Sequence, residues 1–124
     1  MFLDDFRFPK DVTWCKLPLT DWTIVRTYFE FIAAIQANGL PKFISFDHDL
    51  GELAMKEYIS AREKFSYGNI GDEKTGMDCA KWLDEYCMDN DLDVPEFEVH
   101  SFNNVGAENI RCYLNNYIKF RKNS

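Results

Sequence analysis

The segment KFISF, residues 42–46, is the feature that most restricts how this chain can fold. It is short and mostly apolar, and it shows little of the polar alternation of a strand with one solvent-facing side. Strands that are buried on both faces have this composition, and they belong to parallel sheets covered by helices. The segment therefore predicts a parallel sheet rather than an open antiparallel one.

Other apolar segments alternate with helical patterns along the chain. Three further short strands are predicted at residues 1–3, 22–26 and 97–101. Helices are predicted over residues 28–38, 52–65, from Thr75 onward, and over about 106–121. Thr27 and Thr75 precede helices as N-caps, and Asn38-Gly39 supplies a left-handed C-cap. This alternation predicts an α/β fold, and the length of 124 residues predicts one domain over residues 1–124.

Composition excludes several classes of function. A net charge of −7 disfavours binding to duplex DNA, because phosphate contacts require a basic face. The apolar runs all fall well short of the roughly 18 residues of a membrane span. The amino-terminal segment MFLDDFRFPK carries acids where a signal peptide would be basic. We therefore expect a soluble, cytoplasmic protein without a membrane partner.

The cysteines do not form a metal-binding pattern. Cys15, Cys79, Cys87 and Cys112 are far apart, with no C-x-x-C pair, so a zinc site is not predicted. Cys79, Cys87 and Cys112 fall on apolar helical faces. We expect these three to be reduced residues of the core.

Polar side chains follow three of the predicted strands. Asp4-Asp5 follows the first, Asp47-His48-Asp49 the third, and His100-Ser101 the last, so both histidines of the chain belong to this set. The carboxyl ends of parallel strands meet at one edge of the sheet, where ligands bind. Converging carboxylates repel one another unless they share a proton or bind a cation. An oxygen-rich site of this kind suits Mg²⁺ or Mn²⁺.

Each of these features also has an ordinary structural explanation. An aspartate at a strand end is often a turn or cap residue, and a single histidine there is often packed. Asn103 or Asn104 can simply cap the last helix, or the amides near Gly106 can bind an anion. The two glycines within residues 66–74 predict a mobile loop that can act as a lid.

Five segments, taken in order, resemble one known family. LDD-F-R-F-P, WTIVRT, FDHDLGE, TGMD and VHSFNNVGA are similar to the motifs of the cyclic-phosphate processing receiver domains of bacteria and phages. The resemblance implies a receiver-like (flavodoxin-like) three-layer fold with a short, mostly parallel sheet of about four strands. It also implies hydrolysis or processing of cyclic phosphate bonds. Two features depart from the pattern of the family: the segment between Gly51 and Thr75 looks long, and the first strand begins at residue 1.

The resemblance implies a site for a small phosphorylated ligand, such as a cyclic nucleotide or an RNA end with a 2′,3′-cyclic phosphate. Three sets of residues are predicted, a metal set, a catalytic set and a substrate set: Asp4, Asp5 and Asp49; Asp47, His48 and His100; Arg7, Ser101 and Asn103. In this interpretation Asp47 or His48 accepts a proton from water, and His100 protonates the leaving oxygen. If the strand continued through residue 49, Asp47 and Asp49 would converge and His48 would point away.

Two other functions remain open from the sequence. The same pocket can sequester a cyclic nucleotide without cleaving it, as a counter-defence sponge of a phage would. Alternatively, the chain is a receiver-like interaction domain whose acidic residues are vestigial. A phospho-signalling receiver is disfavoured, because such a domain needs a lysine at the end of a fifth strand. In this chain the residues after the last predicted strand read as a single helix, which leaves no room for that lysine. The sequence leaves open the ligand, the metal, the oligomeric state and the source organism.

Overall fold

The computed structural model describes residues 1–50 and 74–123. Within these residues, four strands form one sheet in the order β2-β1-β3-β4. The strands are β1 (Phe2–Leu3), β2 (Ile24–Val25), β3 (Phe43–Phe46) and β4 (Glu96–Val99). Every neighbouring pair is parallel, as KFISF predicts. The second and fourth strands are shorter than predicted, and β4 ends before His100 instead of at residue 101.

Three α-helices lie in the described part of the chain. They are α1 (Tyr28–Asn38), α2 (Gly76–Asp89) and α3 (Asn104–Lys122), with a 3₁₀ turn over Pro9–Asp11. Thr27 and Thr75 cap α1 and α2 as predicted, and Asp78 completes a capping box with Thr75. Gly39 ends α1 with a φ of 80°. The predicted helix over residues 52–65 and the predicted lid over 66–74 lie outside the described residues, apart from Lys74 at the end of the lid.

The two faces of the sheet carry different side chains. Alternate strand positions, among them Leu3, Ile44, Phe46 and Val99, pack in one core with the apolar sides of the helices. On the opposite face, Phe2 meets Trp22, which in turn meets Phe43, in edge-to-face ring contacts. The two central strands, β1 and β3, are therefore largely buried on both faces, as the apolar composition of KFISF predicts.

The inward faces of α2 and α3 agree with the apolar pattern, with one correction. Cys79 and Cys87 are buried in the core, whereas Cys112 is exposed, so the prediction that it is a core residue is wrong. Cys112 lies between the inward positions Ile110 and Leu114, which place it on the outer side of α3. No helix in residues 1–50 or 74–123 has the length and apolar content that crossing a bilayer requires.

The carboxyl of Asp84 is buried in α2 without an obvious function. Its side chain is 4 % exposed, and its Oδ1 has no hydrogen-bond partner in the part of the chain described. Burial raises its pKa to about 7. Because the pKa is higher in the folded than in the unfolded chain, the folded state loses stability as pH rises from about 4 to 7.

We expect Asp84→Asn to stabilise the protein at pH 8 by roughly 1–3 kcal/mol, because no charge is then buried. The gain should fall to a few tenths of a kcal/mol at pH 4, where the folded-state carboxyl is protonated and the unfolded-state carboxyl is about half protonated. Urea denaturation at the two pH values measures it. Glu85→Gln, at the exposed neighbouring position, is the control. An equal effect of Asp84→Asn at both pH values would show that Asp84 does not titrate as described.

Candidate functional site

Three buried side chains form a row at the carboxyl end of the sheet. Leu3, Phe46 and Val99 are the last residues of β1, β3 and β4, and they lie opposite one another in the strand register. The next residue on each strand is Asp4, Asp47 or His100. The backbone pairing continues through this row, because the amide of Asp47 donates to the carbonyl of Leu3 and that of His100 to Phe46. All three side chains therefore lie on the face opposite the helices.

His100 is held at both ring nitrogens. Its Nε2 lies 2.9 Å from Asp4 Oδ2, and its Nδ1 lies 2.6 Å from Ser45 Oγ. An ionised carboxylate only accepts hydrogen bonds, so Nε2 carries a proton and donates it to Asp4, while Nδ1 shares a second hydrogen bond with the serine hydroxyl. The ring is fully buried and stacks on Phe2, with the centroids 4.6 Å apart. The structure thus places His100 as an internal residue, away from solvent.

Asp4 is the ionised member of the row. Its Oδ1 accepts from the amides of Phe6 and Arg7 at 3.0 and 2.8 Å, and Arg7 Nη1 lies 3.4 Å from Oδ2. Burial alone raises the pKa of Asp4, but the hydrogen bonds from His100 and the two amides outweigh it. The pKa of Asp4 therefore lies well below its usual range. The chain after β1 is folded around this carboxylate.

Asp47 has the opposite electrostatic character. Burial, followed by the nearby charge of Asp4, raises its pKa to about 6. Its Oδ1 accepts from the amide of His48 at 2.8 Å, and the nearby Ser101 hydroxyl offsets part of the rise in its pKa. Arg7 Nη1 lies 4.0 Å from Oδ2. The two buried carboxyls thus differ: one is a fixed anion, and the other exchanges a proton close to neutral pH.

A second group of side chains lies beside this row. His48 Nδ1 is 2.8 Å from Asp49 Oδ1, and Asn103 Nδ2 lies 3.4 Å from both Asp49 oxygens. Asn103 also caps α3, because its Oδ1 accepts from the amide of Gly106 at 2.9 Å. A Cβ on Gly106 would lie 2.4 Å from His48 Cγ, so the imidazole rests directly on the first turn of α3.

The expected convergence of Asp47 and Asp49 does not occur. β3 ends at Phe46, and the chain turns at Asp47-His48, where the amide of Gly76 donates to the carbonyl of His48 at 2.7 Å. Asp47 is therefore buried, while the side chain of Asp49 is 66 % exposed and pairs with His48. Alternation along a strand could not predict this, because it fails once the strand has ended.

The geometry suggests a different metal set from the predicted Asp4, Asp5 and Asp49. Donor atoms of Asp4, Asp47 and His100 all lie within 4.8 Å of one another. Ligand atoms around a single ion lie about 2.0–2.6 Å from it and so at most about 4–5 Å apart. Two carboxylates and an imidazole also form a suitable donor set, and the repulsion between the two carboxyls favours a cation. This buried group could hold a metal ion, whereas Asp5 is half-buried and Asp49 is exposed.

The remaining predicted residues border the row. Arg7 lies beside both carboxyls, and the Ser101 hydroxyl lies near Asp47. The sequence interpretation missed Ser45, which holds His100, and Trp14, whose Nε1 donates to the His100 carbonyl at 2.7 Å. Ser45 had a signal, since it is the polar residue within the apolar strand KFISF. Trp14 had none, because it lies in an irregular loop.

Comparison with known proteins gives one match. A family model described as "Cyclic-phosphate processing Receiver domain" matches residues 1–116. No curated protein and no solved structure matches the chain. The family match and the parallel sheet with its helices confirm the predicted resemblance and the receiver-like α/β fold.

Proposed function

Because the chain belongs to the cyclic-phosphate processing receiver domain family, whose name points to a role in processing cyclic phosphates, we propose that it hydrolyses a cyclic phosphodiester. The ligand is a small phosphorylated molecule, such as a cyclic nucleotide or an RNA end with a 2′,3′-cyclic phosphate. One observation carries this proposal: a buried row of two carboxyls and an imidazole has a guanidinium at its side. Hydrolysis of a cyclic phosphate needs a positively charged group that binds the phosphate oxygens and a second group that accepts and donates protons.

Arg7 is the residue that we assign to the phosphate. Its Nη1 lies 3.4 Å from Asp4 and 4.0 Å from Asp47, so the guanidinium stands beside the position that we assign to the ligand. A planar guanidinium binds two phosphate oxygens at once and keeps its charge at any working pH. The carbonyls of Asp4 and Arg7 both accept from Arg26 Nη1, which fixes the backbone that carries Arg7.

We assign a divalent cation, Mg²⁺ or Mn²⁺, to Asp4, Asp47 and His100. Such an ion supplies Lewis-acid chemistry: it offsets phosphate charge and lowers the pKa of a bound water. The residues themselves prepare the position. The backbone amides fix the Asp4 carboxylate and Ser45 holds Nδ1 of the imidazole, and Nε2 would release the proton that it now donates to Asp4 in order to bind the ion.

His48 is the residue that we assign to proton transfer, in place of the buried His100. Its Nδ1 pairs with the Asp49 carboxylate, which holds the ring so that Nε2 can accept a proton. In the proposed hydrolysis, water oxygen bonds to phosphorus and one ring P–O bond breaks. The proton from water passes to His48 and then to the leaving oxygen, which gives a linear phosphomonoester and a hydroxyl group.

Phosphorus NMR of the protein with a panel of cyclic phosphates tests this proposal. We expect a linear phosphomonoester to appear, and we expect a chelator to stop its formation. Recovery of intact ligand from denatured complex, with no product, would instead favour a sponge. No product and no rise in melting temperature with any ligand would favour an interaction domain, because a ligand that binds only the folded state must raise that temperature.

A further inference from the structure

Three aromatic side chains form an exposed rim around Arg7. We define the aromatic rim as Phe6, Trp14 and Phe102, whose ring centroids lie 4.6, 5.4 and 5.0 Å from the guanidinium carbon. Phe6 is 64 % exposed and Phe102 is 63 % exposed. Single exposed rings are common on protein surfaces, but a group of them around one charged residue marks an interaction site.

The aromatic rim is connected to the row of buried residues by short chain segments and by hydrogen bonds. Phe102 comes two residues after His100 in the chain, and the amide of Phe6 donates to Asp4. Trp14 is tied to the same sheet edge by its hydrogen bond to the His100 carbonyl, and its ring lies 4.1 Å from that of Phe102. The rim is thus held at the same place as the proposed phosphate site.

We propose that the aromatic rim binds a nucleobase, so that the substrate is a cyclic phosphate that carries a base. This inference rests on the proposed function. The charge of Arg7 favours an anionic group beside it, and the rings of Phe6 and Phe102, both largely exposed to solvent, lie next to that cation. A nucleotide has this same order, with a flat aromatic base joined to a phosphate through one sugar. Stacking on an aromatic side chain accepts any base, because every base has a π-face.

Two ligands with the same cyclic ester but different attachments test the inference. Adenosine 2′,3′-cyclic phosphate carries a base, and glycerol 1,2-cyclic phosphate does not. Hydrolysis is followed by phosphorus NMR, and binding by calorimetry. We expect the protein to prefer the adenosine compound by roughly 5- to 150-fold, which corresponds to about 1–3 kcal/mol of stacking.

Leucine substitutions separate stacking from general effects. Phe6→Leu and Phe102→Leu should raise KM or Kd for the adenosine compound and leave its kcat close to the wild-type value. The same substitutions should hardly change KM or Kd for the glycerol compound. Phe120→Leu is the matched control, since Phe120 is 65 % exposed and lies near the end of α3. An equal loss for both ligands would overturn the inference, because the rings would then act only by positioning Arg7.

The outcomes distinguish this inference from the proposed function. If neither ligand is hydrolysed but the adenosine compound binds more tightly and Phe102→Leu removes the difference, the base site stands and the hydrolase proposal fails. If both are hydrolysed equally by wild type and by the variants, the hydrolase proposal stands and the base site fails. If neither ligand binds, both fail.

Discussion

Asp47→Asn is expected to reduce hydrolysis of the cyclic phosphate by roughly 10²–10⁴-fold while the fold is retained. Both roles open to Asp47, ligand of a cation and acceptor of a proton, depend on its carboxylate, because an amide is only a weak, uncharged ligand and does not accept a proton at neutral pH. The amide oxygen can still accept from the amide of His48, which now bonds to Asp47 Oδ1 at 2.8 Å. The loss should therefore appear in activity and not in structure.

The same variant should be at least as stable as wild type above pH 6. The pKa of Asp47 in the folded protein is raised to about 6 by burial and by the charge of Asp4. An acid with a raised folded-state pKa costs stability as pH rises from about 4 to 6, and the cost persists at higher pH. Removing the charge should therefore raise the free energy of unfolding by roughly 1–3 kcal/mol at pH 8 in the absence of metal.

Metal binding gives a readout that does not depend on turnover. Mg²⁺ or Mn²⁺ should raise the melting temperature of wild type and should have a much smaller effect on Asp47→Asn. Asp21→Asn is the control, because Asp21 is exposed and precedes β2, at the opposite edge of the sheet. Wild-type turnover by Asp47→Asn would show that Asp47 has neither role.

Gly76→Ala is expected to destabilise the fold by roughly 2–4 kcal/mol and to disturb the site. A Cβ at this position would lie 1.8 Å from the backbone oxygen of Asp47 and 3.0 Å from the Cα of His48. Both are backbone atoms and cannot rotate away as a flexible side chain can. The start of α2 must therefore move away from the turn that presents Asp47 and His48.

Denaturant unfolding measures the loss of stability, and activity well below the melting temperature measures the disturbance of the site. Gly39→Ala is the comparison, because Gly39 has a φ of 80° but open space around its Cβ position. It should also lose stability, through backbone strain, yet keep full activity. If Gly76→Ala folded stably with normal activity, the close contact between α2 and the turn would not constrain the site.

The sequence predicted the parallel sheet and the starts of α1 and α2 because these depend on local signals. KFISF predicted a buried parallel strand, and Thr27 and Thr75 marked the starts of their helices. The position of Cys112 was predicted wrongly because an apolar residue type is a weak guide to which side of a helix it lies on. The composition of the site was partly visible, since its acids and histidines all follow strands.

The relations among the site residues could not be predicted in the same way. They depend on the strand register and on where each strand ends. The register places Asp4, Asp47 and His100 in one row, and the turn after Phe46 separates Asp49 from them. The different surroundings of the two histidines have the same origin, because His100 continues the pairing of β4 while His48 lies in a turn beneath α3.

The row of Asp4, Asp47 and His100 consists of the residues that directly follow β1, β3 and β4. The site therefore forms only when all three strands are paired correctly. A shift of one residue in the pairing of any of these strands would turn its member of the row to the other face. The site thus has no partly assembled form that keeps its chemistry. We therefore infer that activity would be lost together with the protection of the Asp47 and His100 amides against hydrogen exchange, in a single transition, as denaturant is added.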